Sequence, residues 1–145
     1  MQKEFTKQAE KVLNNAKSIA KRLQHPYIGT EHLLLALRQE FTGVAGQVLA
    51  MNKVDEESIV KIIDELISPS QETKQKKVLM SPRLEFLLDN AFQEAIHLKS
   101  EKIGTEHMLL AMLKDGDCVA TRILATLNMN LGKIQEDILD TIGVN

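Results

Sequence analysis

Ile28-Gly29-Thr30-Glu31-His32 recurs unchanged as Ile103-Gly104-Thr105-Glu106-His107. The two copies lie 75 residues apart, and the same offset aligns residues 5–67 with residues 80–142 without a gap. About a third of the aligned positions are identical. The chain therefore contains two copies of one supersecondary unit, and a surface feature of one repeat is expected in the other as well.

Apolar residues keep helical spacing in both repeats, and the signals that start helices agree between them. Hydroxyl, carboxylate or amide side chains suited to N-caps precede the first, second and fourth helix of each repeat. They are Thr6, Thr30 and Asp55 in repeat one and Ser81, Thr105 and Asn130 in repeat two. Short third helices are predicted at about Val44–Met51 and Val119–Leu127.

We find no alternating pattern typical of a strand, so the sequence predicts an all-α fold of eight helices. The two pseudo-symmetric four-helix repeats, residues 5–67 and 80–142, are expected to pack as one domain spanning 1–145, because each repeat alone buries little surface. Residues 68–78 between them are mostly polar and are interpreted as an exposed linker.

The bulk composition excludes several classes of partner. Over 145 residues the formal net charge is −2 and aromatic residues make up 3%, which argues against nucleic-acid binding. No apolar run approaches the length of a membrane span, and residues 1–11 are polar, unlike a secretory signal. The single cysteine, Cys118, excludes an internal disulfide, so a cytoplasmic protein without membrane attachment is expected.

The residue patterns of common catalytic and metal sites are missing. There is no phosphate-binding G-x-x-x-x-G-K-[ST] loop, and the four histidines and Cys118 lack the spacing of zinc ligands. No nucleophile–base pair stands out, and we interpret Cys118 as structural. The chain is therefore expected to be non-catalytic, with no metal.

The repeated motif has a purely structural interpretation. Thr30 and Thr105 suit helix N-caps, and Glu31 and Glu106 then fall in the first helical turn. A carboxylate there meets the positive end of the helix dipole, which is worth roughly 0.3–1 kcal/mol. The histidines could cap, contact the other repeat or fill the start of the helix. Capping alone would account for every residue type in the motif.

The same geometry also supports a binding site. A helix N-terminus offers free backbone N–H groups to an anion, and a neighbouring carboxylate can accept hydrogen bonds from a cation. Phosphoarginine carries both charges in one side chain, with its guanidinium bonded to the phosphoryl group. Thr6 and Ser81 would supply hydroxyls on the phosphate side if the first helices start near the motifs. The residues alone leave both interpretations open.

The duplicated Ile-Gly-Thr-Glu-His-(Leu/Met)-Leu-Leu-Ala, with a Thr- or Ser-capped helix before it, resembles the Clp N-terminal repeat domain of Hsp100 (Clp) AAA+ unfoldases. Within that family it is most similar to the ClpC group. The resemblance implies a substrate- and adaptor-docking module of an ATP-dependent unfoldase that feeds a ClpP-type protease. Expected partners are arginine-phosphorylated or unfolded proteins and adaptors of the MecA type. ATP and Mg²⁺ belong to AAA+ modules that this chain does not contain, so no cofactor is expected here.

The resemblance also implies roles for individual residues. Glu31 and Glu106 match the acidic positions that bind the phosphoarginine guanidinium at two equivalent sites, and Thr6 and Ser81 match hydroxyl positions at the start of each repeat. Thr30 and Thr105 are expected to cap. The chain departs from the family pattern before the motifs, at Pro26-Tyr27 and Lys102, and in the turns after the second helices. An alternative function is adaptor or degron binding without phosphoarginine.

Overall fold

The computed structural model describes residues 3–69 and 77–144, which form eight α-helices. Repeat one contains α1 (Lys7–Arg22), α2 (Thr30–Gln39), α3 (Val44–Met51) and α4 (Glu56–Leu66). Repeat two contains α5 (Pro82–His97), α6 (Thr105–Lys114), α7 (Val119–Thr126) and α8 (Leu131–Thr141). The predicted all-α fold is confirmed.

Four of the six predicted N-caps are present. Thr6 Oγ1 accepts a hydrogen bond from Ala9 N at 3.1 Å, and Ser81 Oγ accepts one from Leu84 N at 3.1 Å. The side chains of Asp55 and Asn130 cap α4 and α8 in the same way. Proline at the first position of α5 needs no hydrogen-bond partner there, which is why Ser81-Pro82 is a strong start signal.

The second helix of each repeat lies in the centre of the core. Residues 30–37 of α2 are all buried, as are residues 107–113 of α6. α2 packs against α1, α3 and α4 of its own repeat and against α6 and α7 of the other, while α6 packs against α5, α3 and α8. A helix surrounded in this way must be apolar on all sides, which explains the continuous apolar runs after the motifs.

Two short parallel pairings join the repeats. β1 (Tyr27–Ile28) pairs with β2 (Leu79–Met80), and Phe5 forms an isolated parallel bridge with Ile103. These pairings were not predicted, because two residues are too few to show alternation. Each one places the start of a first helix beside the motif of the opposite repeat.

Most of the predicted linker, residues 70–76, lies outside the described residues. Ser68, Pro69 and Lys77 are exposed, whereas Val78 is buried in the core just before β2. Within the described ranges no helix is both long enough and apolar enough to cross a bilayer.

Candidate functional site

A pocket of about 400 Å³ opens between the repeats around Glu31. Three helices begin at its wall, two of them in repeat two. The residues that these helix starts contribute are Gly29 and Thr30 for α2, Ser81 and Arg83 for α5, and Cys118 and Val119 for α7. Each helix start carries backbone N–H groups and a partial positive charge, so the wall favours an anion.

The motif threonines do not cap their own helices, and the prediction that they do is wrong. The N-caps of α2 and α6 are Gly29 and Gly104. Thr30 Oγ1 instead accepts a hydrogen bond from Ala120 N of α7 at 3.1 Å, and Thr105 Oγ1 accepts one from Ala45 N of α3 at 3.2 Å. Each buried threonine therefore satisfies an N–H group at the start of the other repeat's third helix.

The motif histidines cap α2 and α6, one of the roles that the sequence suggested for them. Gly29 N–H donates to His32 Nδ1 at 2.8 Å, and Gly104 N–H donates to His107 Nδ1 at 2.8 Å. Because Nδ1 of neutral His32 accepts, its Nε2 carries the proton and donates to His25 Nδ1 at 2.7 Å. Burial, with a smaller contribution from His25, lowers the pKa of His32 to about 4.

Glu31 is 6% exposed and folds back over the residue that precedes Thr30. A Cβ added at Gly29 would lie 2.7 Å from Glu31 Cδ, so glycine there leaves room for the carboxylate. Burial raises the pKa of Glu31, and its own backbone N–H partly offsets the rise. Glu106 adopts the same conformation beside Gly104, although it is only half-buried. Both carboxylates lie in the first turn of their helices, as predicted, and that of Glu31 is buried there.

Thr6 and Ser81 stand next to the motifs, each beside that of the opposite repeat. Ser81 N donates to Ile28 O at 2.9 Å, and Thr6 N donates to Ile103 O at 2.9 Å. Ser81 lines the Glu31 pocket itself. The structure therefore places Ser81 in the same pocket as Glu31, and it places Thr6 beside Ile103, at the start of the motif that contains Glu106. Each hydroxyl accepts a hydrogen bond in its own cap and keeps its proton free to donate.

Arg83 is a pocket residue that the sequence interpretation missed. Its Nε lies 3.2 Å from Asp115 Oδ2, an ion pair without hydrogen-bond geometry, since that buried oxygen has no hydrogen-bond partner. Its Nη2 lies 3.7 Å from Asp117, whose side chain is 91% exposed. The sequence does place Arg83 in the first turn of α5, directly after Ser81-Pro82. Nothing in the sequence, however, places that turn beside Glu31.

Cys118 is buried at the N-cap position of α7, in keeping with the structural role predicted for it. Its Sγ lies 2.8 Å from Thr121 Oγ1 within the same repeat. In the part of the chain that the structure describes, no group of three or more His, Cys, Asp and Glu residues is placed to hold a metal ion.

The fold and the repeated motif define a duplicated all-α domain in which each repeat contributes hydrogen bonds to helix starts of the other. Residues 4–127 and 79–143 match the Clp repeat (R) N-terminal domain. The chain belongs to this family. It is 38% identical over 141 residues to the Bacillus subtilis (strain 168) protein described as negative regulator of genetic competence ClpC/MecB, covering 97% of this chain and 17% of that protein.

Solved structures show the same fold. The Hsp104 N-terminal domain from Candida albicans matches with a TM-score of 0.83 at 20% identity, covering 98% of this chain and 93% of that one. A ClpV N-domain in complex with a VipB peptide matches with a TM-score of 0.74 at 20% identity, covering 94% and 85%. The chain thus corresponds to the N-terminal domain of these proteins and spans about a sixth of the ClpC relative's length.

Proposed function

We propose that this domain docks substrates and adaptors for a ClpC-type ATP-dependent unfoldase of the Clp protease system, and that its two sites bind arginine-phosphorylated proteins. The domain would act in the cytoplasm, and ATP with Mg²⁺ would be used by AAA+ modules outside it. The single observation that carries the proposal is a buried carboxylate, Glu31, in a pocket where three helices start.

The helix starts provide the phosphate side of the site. Backbone N–H groups at the start of a helix bind phosphoryl oxygens, and α2, α5 and α7 all begin at this pocket. The Ser81 hydroxyl can add a hydrogen bond, and Arg83 adds a positive charge at the edge. In site two the corresponding helices are α6, α1 and α3, with Thr6 in place of Ser81 and Gln8 in place of Arg83.

Glu31 provides the cation side. A buried carboxylate without a cation beside it costs free energy, and its raised pKa is a sign of that cost. A guanidinium that donates hydrogen bonds to the carboxylate would offset this cost and return the pKa towards its ordinary value. A phosphate alone would be repelled by the Glu31 carboxylate, and an arginine alone would be repelled by the partial positive charge at the helix starts. A ligand that joins guanidinium and phosphoryl satisfies both.

Calorimetric titration with free phosphoarginine tests the proposal. We expect binding to the unmodified domain, weaker binding to Glu31→Gln and Glu106→Gln, and none to the double variant, because glutamine keeps the shape but loses the charge. Arginine and phosphoserine serve as ligands with one charge each and are expected to bind much more weakly. Melting curves of every variant control for folding. Undiminished phosphoarginine binding by a folded double variant would contradict the assignment.

A second candidate function is docking of adaptor or degron peptides without phosphoarginine. The observation that favours it is the similar fold of a ClpV N-domain bound to a VipB peptide. Competition separates the two functions: if an adaptor of the MecA type binds this domain outside the Glu31 and Glu106 sites, free phosphoarginine will fail to displace it. Displacement would place both ligands on the same sites.

A further inference from the structure

The two sites share their motif residues but differ at the rim. Tyr27 of β1 lines the Glu31 pocket and is paired with Leu79 of β2. Their neighbours Ile28 and Met80 turn inward, so Tyr27 and Leu79 both point outward, with 58% and 66% of their surface exposed. Two large apolar side chains therefore stand side by side on the surface, with Tyr27 at the mouth of site one and Leu79 next to it.

The rim of site two carries charges instead. With the 75-residue offset, Lys102 takes the place of Tyr27 and Glu4 that of Leu79. Both residues are exposed, and the Phe5–Ile103 bridge with the hydrogen bond from Ile103 N to Glu4 O reproduces the pairing of site one. The backbone is thus the same at the two rims, while an apolar pair has been exchanged for an oppositely charged pair.

We propose that the apolar pair Tyr27–Leu79 makes site one selective for phosphoarginine that has a leucine, isoleucine or aromatic residue two positions away in the peptide, whereas site two is indifferent to such a residue. The inference rests on the proposed phosphoarginine function. It assigns the specificity of site one to residues outside the repeated motif.

The occupant follows from the reach of a peptide. When a phosphoarginine side chain enters the pocket, its backbone remains at the mouth, and in an extended chain the next side chain on the same face belongs to the residue two positions away, about 7 Å further on. Tyr27 belongs to the pocket wall and Leu79 is its strand partner, so that side chain can reach the apolar pair. An apolar side chain there removes apolar surface from water on both partners. At site two it would cover Lys102 and Glu4 and gain little.

The test compares two phosphoarginine peptides, one with leucine two positions before and two positions after the modified residue and one with only glycine and serine around it. Site one is isolated by Glu106→Gln and site two by Glu31→Gln. We expect the leucine peptide to bind site one about five- to tenfold more tightly than the glycine–serine peptide. At site two the two dissociation constants should agree within about twofold.

Exchanging the rims sharpens the test. In the Glu106→Gln background, Tyr27→Lys with Leu79→Glu should bring the ratio of the two dissociation constants to about one. In the Glu31→Gln background, Lys102→Tyr with Glu4→Leu should create the preference at site two. A gain of selectivity there cannot arise from misfolding, and all four positions are exposed.

The outcomes separate this inference from the function on which it rests. If free phosphoarginine binds both isolated sites but the peptide ratio is the same at each, the rim assignment is wrong and the proposed function stands. If free phosphoarginine binds neither site, the proposed function fails, and the inference fails with it.

Discussion

The Glu31 and Glu106 sites combine one repeated motif with different surroundings. Both have a glycine that makes room for the carboxylate, a histidine that caps the helix, and a threonine that reaches across to the other repeat. Site one adds a second histidine, an arginine and an apolar rim, and its glutamate is more deeply buried. The groups that position the carboxylate are thus the same in both repeats, while the residues around them differ.

We expect the largest effect on stability when the pH is lowered, because site one contains the additional buried histidine. His32 is neutral in the folded state with a pKa of about 4, whereas in the unfolded chain it is protonated below about 6.5. The unfolded state therefore binds more protons as the pH falls from about 6.5 to 4, and stability falls by about 3 kcal/mol from this residue. Burial lowers the pKa of His25 as well, despite Asp64.

Chemical denaturation between pH 7 and 4 measures this loss. His32→Asn keeps an acceptor for Gly29 N–H but cannot be protonated in this range, so it should make the pH profile less steep. His25 and His107, whose pKa values burial also lowers, should account for part of the remaining slope. His97→Gln, which removes a histidine at an exposed position, is the matched control. A profile that His32→Asn does not alter would show that the buried pair does not control acid stability.

The next largest loss of stability is expected when the hydrogen bonds of Thr30 and Thr105 to the opposite repeat are removed. Thr30→Val leaves Ala120 N–H, and Thr105→Val leaves Ala45 N–H, without an acceptor in a buried position. Each substitution should lower the free energy of unfolding by about 1–3 kcal/mol. Thr141→Val, which removes an exposed side-chain hydrogen bond, is the control and should cost less. Equal losses at Thr30 and Thr105 would confirm that the exchange between repeats is symmetric, and no loss at either would contradict it.

Glycine substitutions should separate binding from folding. Gly29→Ala would push the Glu31 carboxylate out of place, yet a flexible side-chain end can move at little cost to folding. We expect phosphoarginine binding at site one to weaken about tenfold, or about 1.4 kcal/mol, and Gly104→Ala to do the same at site two. Gly116→Ala, with open space around the new Cβ, is the control. Full phosphoarginine affinity of Gly29→Ala would contradict the position proposed for the Glu31 carboxylate in the site.

The smallest effect should be a gain in stability. Because burial raises the pKa of Glu31, folding favours its protonated form, and the stability of the fold decreases as the pH rises from about 4.5 through the raised pKa. At pH 7, Glu31→Gln should therefore raise Tm by at most a few degrees. Glu106→Gln should change Tm less, since Glu106 is half-buried. A clear drop in Tm for Glu31→Gln would instead favour a capping role for the carboxylate.

The helices could be predicted because their signals are local. Periodic apolar residues and caps such as Thr6 and Asp55 depend on neighbours within four positions, and they marked the starts of α1 and α4. The end of α7 was predicted one residue too late, at Leu127 rather than Thr126. Helix ends fray, so such differences carry no physical meaning.

The crossed contacts could not be predicted because their partners lie far apart in the chain. The sequence predicts Thr30 as the N-cap of its own helix, but Thr30 Oγ1 accepts a hydrogen bond from Ala120 N, 90 residues away in the chain. The position of Arg83 on its helix could be predicted, but its neighbours from other parts of the chain could not. Glu31 and Glu106 were chosen from the motif and the family resemblance, and their role as guanidinium acceptors remains a prediction.

Amide NMR during a phosphoarginine titration would report on both proposed sites at once, because Gly29 and Gly104 each have a backbone N–H close to the carboxylate of their site. We expect both glycine resonances to shift on saturation. Glu31→Gln should abolish the shift at Gly29 alone, and Glu106→Gln that at Gly104 alone. If neither glycine responds while the domain remains folded, or if the shifts survive in both variants, the two carboxylates are not the binding sites.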